Sequence, residues 1–141
     1  PLEESAGGDV VIADAVAPLR RLCGRIGHGG PEPAACGRQV VDTFGEDIGE
    51  IEDLLADGSS PTSQAPTIRY VVVGFGGLLG LGRHHIAVPS EQVELQFDPV
   101  RLSLSKEILR RAPAYDPEMP FSRREEMAVN AYFGTTPYWL R

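Results

Sequence analysis

Between Ile68 and Pro89 the chain reads IRYVVVGFGGLLGLGRHHIAVP, and that stretch limits the fold more than any other. Ile68, Tyr70, Val71, Val72 and Val73 form a near-continuous β-branched and aromatic run, which suits a strand covered on both faces. Gly74, Gly76, Gly77, Gly80 and Gly82 then fall within nine residues, separated by Phe75, Leu78, Leu79 and Leu81. A second strand is expected from His84 to Val88, stopping at Pro89, which has no N–H to give to a ladder. Two strands joined by an apolar, glycine-rich turn predict the spine of a small β-barrel. The glycines read as steric devices that permit positive-φ turns and close strand crossing. A nucleotide cradle fits poorly: no Gly-Lys-Ser/Thr ending follows, and Leu79 stands where a dinucleotide fingerprint needs its third glycine.

With 141 residues there is room for one domain with extensions, and not for two. The net charge of −7 argues against a general nucleic-acid binder, which needs a basic face to displace counterions. The acidity is uneven, with 7 basic and 15 acidic groups in residues 1–104 against 6 and 5 in residues 105–141. No apolar run approaches the roughly 20 residues needed to span a bilayer, and no secretory-signal layout is visible. Cys23 and Cys36 are too few for a disulfide scaffold, so two reduced thiols in a cytoplasmic protein are expected.

Along the chain, residues 1–37 read as an arm and linker. Val10 to Ile12 suggest an extended piece, and Leu19, Leu22 and Ile26 have the spacing of a short amphipathic helix from Pro18 to Ile26. A compact domain over 38–104 follows, opening with a short strand from Gln39 to Thr43. Asp47 to Asp57 is ambiguous. Ile48, Ile51, Leu54 and Leu55 suit a helix, yet a strand with a bulge near Gly49 also accounts for them. Val93, Leu95 and Phe97, then Val100, Leu102 and Leu104, alternate with polar residues on either side of Asp98-Pro99, which predicts a half-buried hairpin. In residues 105–141, Ser105 caps a short helix from Lys106 to Ala112. Ser122 with Glu125 forms a capping box for a second, from Arg123 to Phe133, stopped by Gly134.

The pattern G-x-x-I-G-x-I-x-D-L-L over Gly45 to Leu55, followed by R-Y-V-V-V-G-F-G-G-L-L-G-L-G-x-x-x-x-A-V-P over Arg69 to Pro89, resembles the PRC-barrel family. The tail, with Ala112-Pro113-Ala114-Tyr115-Asp116 and the aromatic run Tyr132 to Trp139, is similar to that of stand-alone bacterial members. The family includes the cytoplasmic domain of the reaction-centre H subunit and the C-terminal domain of a ribosome maturation factor. The resemblance implies a mainly β fold: a PRC-type barrel of about six strands with a short C-terminal helical extension and an extended N-terminal arm. It also implies that residues 48–57 are a strand.

By that resemblance the expected function is non-catalytic. The chain would be a cytoplasmic adaptor, peripheral at the cytoplasmic face of a membrane, that stabilises a larger complex, most concretely a photosynthetic reaction centre. A ribosome-assembly adaptor and a thiol- or metal-dependent sensor are the alternatives. No nucleophile, base and orienting acid stand in a recognisable arrangement. No cofactor is expected, and Cys23, His28 and Cys36 supply only three metal ligands without a fourth. Candidate partner-binding residues are Leu19, Leu22 and Ile26 of the arm, Phe75, Leu78, Leu79 and Leu81 of the bend, and Tyr138 and Trp139 of the tail. The last two can instead strap the barrel shut. The run Asp42, Glu46, Asp47, Glu50, Glu52, Asp53 and Asp57 holds no basic residue and reads as a solvated face. By resemblance to the H subunit, Glu50 and Asp53, with His84 or His85, form a candidate proton-conducting surface. The two histidines are adjacent on a strand, so they point to opposite faces.

Overall fold

The computed structural model describes residues 19–24, 33–57, 67–76 and 82–140. Among these residues seven strands make one mixed sheet: β1 (Arg20–Arg21), β2 (Gln39–Val41), β3 (Asp47–Asp57), β4 (Thr67–Gly76), β5 (Arg83–Pro89), β6 (Val93–Glu94) and β7 (Val100–Leu102). Helices α1 (Lys106–Arg110) and α2 (Arg123–Phe133) follow. The strand order is β5-β4-β3-β2-β7-β6, with β1 added beside the far end of β3. β2 and β7 run parallel, and the other pairs are antiparallel. The protein is mainly β, and the sheet curls without closing its hydrogen-bonded path between β5 and β6. The outer edge of β5 is covered in part, because the Tyr115 N–H donates to the His85 carbonyl at 2.8 Å beside an Ile86–Ala114 bridge. Such a cover removes part of a template for unwanted pairing.

β4 carries the centre of the core. Tyr70 and Val72 point to one face, Val71 and Val73 to the other, and all four are buried, so both faces of the strand are covered. The tail covers Tyr70's face, where Phe121 and Tyr138 meet the tyrosine ring edge-on at 5.2 and 6.3 Å.

β3 answers the ambiguity over residues 47–57: its eleven residues are a strand. Helical spacing loses because Ile48, Ile51, Leu54 and Leu55 are all buried between strands on both sides. Val40 pairs with Gly49 but Val41 with Asp47, so Ile48 is an extra residue next to Gly49. Two more register shifts against β4, between Ile51 and Asp53 and between Leu55 and Ala56, let the strand bend. Gly49 and Gly74 meet at this bend. A Cβ on Gly49 would lie 2.0 Å from the Gly74 carbonyl oxygen, a distance no side chain can occupy.

Three expectations need correction. The helix over Pro18 to Ile26 is not formed at its described residues: Arg20 and Arg21 pair with Ala56 and Leu55, and this is the seventh strand. The arm's apolar spacing serves contact with the sheet, because Leu19 and Leu22 pack against its core. The hairpin after Pro89 is antiparallel but short. β6 stops at Glu94, where its pairing with β7 ends, and Phe97 turns outward, half exposed. The thiols are not reduced: Cys23 and Cys36 form a disulfide with their Cα atoms 5.6 Å apart. Pairing of β1 with β3 brings together cysteines 13 residues apart in sequence, within bridging range. The cysteines therefore no longer argue for a reducing compartment.

Replacing Gly49 by alanine should lower stability by about 3 kcal/mol, at the upper end of what overpacking costs. A shift of the urea midpoint at unchanged m-value would show it. A variant as stable as the parent would mean that the two strands do not approach as described.

Candidate protein interface

Where β4 ends and β5 begins the surface opens into a groove of about 440 Å³. Ile48 and Leu109 line its floor, Phe75 and His84 one wall, and Lys106 and Arg110 the rim on α1. Phe75 and His84 face each other across the β4–β5 pair and stack at 5.7 Å, 28° from parallel. The positive φ of Gly76, 75°, takes the chain out of β4 at the groove's lip, a conformation that favours glycine.

Beyond α1 lies the turn 42–46, built around a buried carboxylate. Asp42 accepts hydrogen bonds from the N–H groups of Phe44 and Glu46 at 2.9 and 2.8 Å, and from that of Lys106 at 2.9 Å. Burial pushes the Asp42 carboxyl up, but these backbone donors together with Lys106 outweigh it and hold it below the usual carboxylate value. The stability this lends is present above pH 3.8 and is lost as pH falls through the lowered value. The same bonds fix the turn that presents Phe44, a residue 77% exposed. Sequence reasoning treated Asp42 as one more solvated acid. The available signal was local, since aspartate followed by Thr43, Phe44 and Gly45 is turn chemistry.

The expected site residues are dispersed. Leu19 and Leu22 lie partly buried on this chain's own core, and Ile26, Leu78, Leu79 and Leu81 fall outside the described residues. Glu50 and Glu52 both reach Arg83, and His85 meets Glu52 at 3.4 Å, while His84 is exposed beside Phe75. Asp53 is not part of that surface. It is buried, accepts from Arg21 at 2.5 Å and from the N–H groups of Leu22, Cys23 and Leu54, and so raises the Arg21 guanidinium further above its ordinary value. Among the described residues no three histidine, cysteine, aspartate or glutamate side chains gather as a metal site.

The tail is held on the sheet by a buried polar network that sequence reasoning missed. Tyr70 donates to Glu126 at 2.9 Å, and the Asn130 amide donates to the Tyr70 oxygen at 2.9 Å and to the Glu126 carbonyl at 2.8 Å. Thr135 in turn donates to the Asn130 side chain at 2.7 Å. The signal was a stripe, for Glu126, Val129, Asn130 and Phe133 are the buried residues of α2 and share one helical face. Tyr138 and Trp139 pack within the molecule. Arg69 lies 4.5 Å from the Tyr138 ring centre and Arg123 lies 3.8 Å from that of Trp139. Burial pushes the Tyr70 phenol up and that of Tyr138 up to about 12, so both stay protonated donors. Burial also raises the Glu126 carboxyl, although Tyr70, Arg123 and Tyr138 oppose it.

The sequence pattern of the PRC-barrel domain matches residues 36–107, just over half of the chain. The chain belongs to the PRC-barrel family. PRC-barrel domains are generally non-catalytic and mediate protein interactions. No match was found among curated proteins. Among the described residues no helix is long and apolar enough to cross a membrane.

Two outcomes follow from the tail network. A carboxyl whose folded pKa is raised lends its stability below the ordinary value of 4.5 and loses it as pH rises through the raised value. Glu126→Gln removes that loss, so its melting temperature relative to the parent should climb between pH 4 and pH 7; an offset independent of pH would contradict the assignment. Removing residues 135–141 should lower stability by about 2 kcal/mol, the scale of burying one large ring, read as a thermal shift of the isolated chain.

Proposed function

We propose that this protein is a non-catalytic adaptor that docks on and stabilises a larger assembly. The observation that carries the reading is Phe44, a large exposed apolar side chain on a turn built around a buried carboxylate, across α1 from a groove walled by Phe75 and His84. A bulky side chain carried on a turn whose backbone is fixed in advance needs little backbone ordering on binding, as interface anchors require. A membrane-bound photosynthetic reaction centre is the most concrete partner, on the resemblance to the H-subunit domain. The adaptor would then sit at the membrane surface, peripheral to the complex. The compact unit at 38–104 would supply the docking face, and the arm at 1–37 would add contacts.

The test is capture of a large integral-membrane complex from gently solubilised native membranes by the tagged chain. Phe44→Ala should weaken capture by about 30-fold, the cost of losing an interface anchor. The isolated variant should melt within about 0.5 kcal/mol of the parent, as an exposed side chain allows. Undiminished capture by Phe44→Ala, or a chain that remains alone in native extracts, would overturn the proposal.

A further inference from the structure

The two segments joined by the disulfide are held to the sheet very differently. On the Cys36 side, Gly37 donates to the Ile51 carbonyl at 2.8 Å and Ile51 to the Arg38 carbonyl at 2.9 Å, and β2 continues the pairing. On the Cys23 side, β1 pairs with β3 over two residues only. Beyond that pair the Leu22 N–H reaches the Leu54 carbonyl of β3 at 3.0 Å, the Asp53 carboxylate accepts from Arg21, Leu22 and Cys23, and Arg21 also donates to the Pro117 carbonyl at 2.9 Å. The Arg21 side chain is 36% exposed, which weakens its ion pair. Cys36 thus leads into β2, which is paired on both sides by β3 and β7, while Cys23 follows β1, which pairs with β3 alone among the described residues.

We propose that Cys23–Cys36 is a redox latch. Oxidised, it holds residues 19–24 against the β3 edge; reduced by a dithiol, it lets them leave. Attack falls on the Cys36 sulfur, because Cys36 is partly exposed whereas Cys23 is buried. The reductant's thiolate bonds to Cys36 and expels the Cys23 thiolate, which takes a proton. The reductant's second thiol then displaces Cys36 as a thiol. Two electrons pass to the cystine and the reductant leaves as its own disulfide. Release frees Leu19 and Leu22 and bares the β3 edge at Leu55 and Ala56, a template for adding a partner's strand. It also opens the cleft of about 520 Å³ that Leu19, Arg20 and Arg21 wall off against Met119 and Phe121. The use of these surfaces in docking rests on the adaptor reading; the latch itself does not.

The test is amide exchange on the full chain, oxidised and after dithiothreitol, with thiols counted by alkylation and mass. Full reduction should expose two thiols and accelerate exchange of the Leu22 and Cys23 amides by about 100-fold, the loop-closure contribution of a cross-link of this span. Val71, Val72 and Val88 should be unaffected. The double variant C23S/C36S should exchange like the reduced chain without any reductant. Unchanged exchange at Leu22 and Cys23 with both thiols titrated would overturn the latch. So would acceleration across β4 and β5, which would make the bond a staple of the whole fold. No partner enters this measurement, so a failed latch and a failed adaptor reading are separable.

Discussion

The contact between Gly49 and Gly74 is the constraint on which the remaining architecture depends. β3 and β4 are the longest strands, and they approach at this point more closely than any side chain permits. The approach allows β3 to bend, and the bend lets one strand serve β2 at its start and β1 at its end. It also sets the position of Phe75 and His84, and hence of the groove that they wall. The curl of the sheet, its core and its most featured surface thus share one origin.

Three buried carboxylates attach the peripheral segments to this sheet. Asp42 receives the first N–H of α1, Asp53 receives the N–H groups after β1, and Glu126 of α2 receives the Tyr70 hydroxyl from β4. A buried carboxylate is costly without donors, so each position is satisfied only when its segment is docked. The surrounding pieces are therefore placed by polar groups with definite geometry as well as by apolar contact. The consequences differ by site: at Asp42 the donors win over burial, while at Glu126 burial wins over the donors.

Much of this was legible in advance, for reasons that vary by element. The valine strand and the second helix could be read because their signals are local. A β-branched run needs burial, and Ser122 with Glu125 caps a helix whatever surrounds it. The end of the hairpin's first strand, the arm and the thiols were misread because their outcome depends on distant partners. Val93 to Phe97 alternates correctly, but a strand lasts only as long as its neighbour stays beside it. Leu19 and Leu22 have helical spacing, yet the free edge of β3 offered pairing to Arg20 and Arg21. Nothing near Cys23 announces Cys36.

The amino-acid order by itself determined the family, the mainly β class, the caps of both helices and the glycines where strands crowd, because each follows from short-range sterics and patterning. Tertiary structure alone decided which of seven neighbouring acids would be buried, which aromatic ring would stand in solvent and that the two cysteines would meet. Those outcomes depend on which segments the curled sheet brings together, and hydrogen-bond donors for a buried carboxylate come from wherever the fold places them.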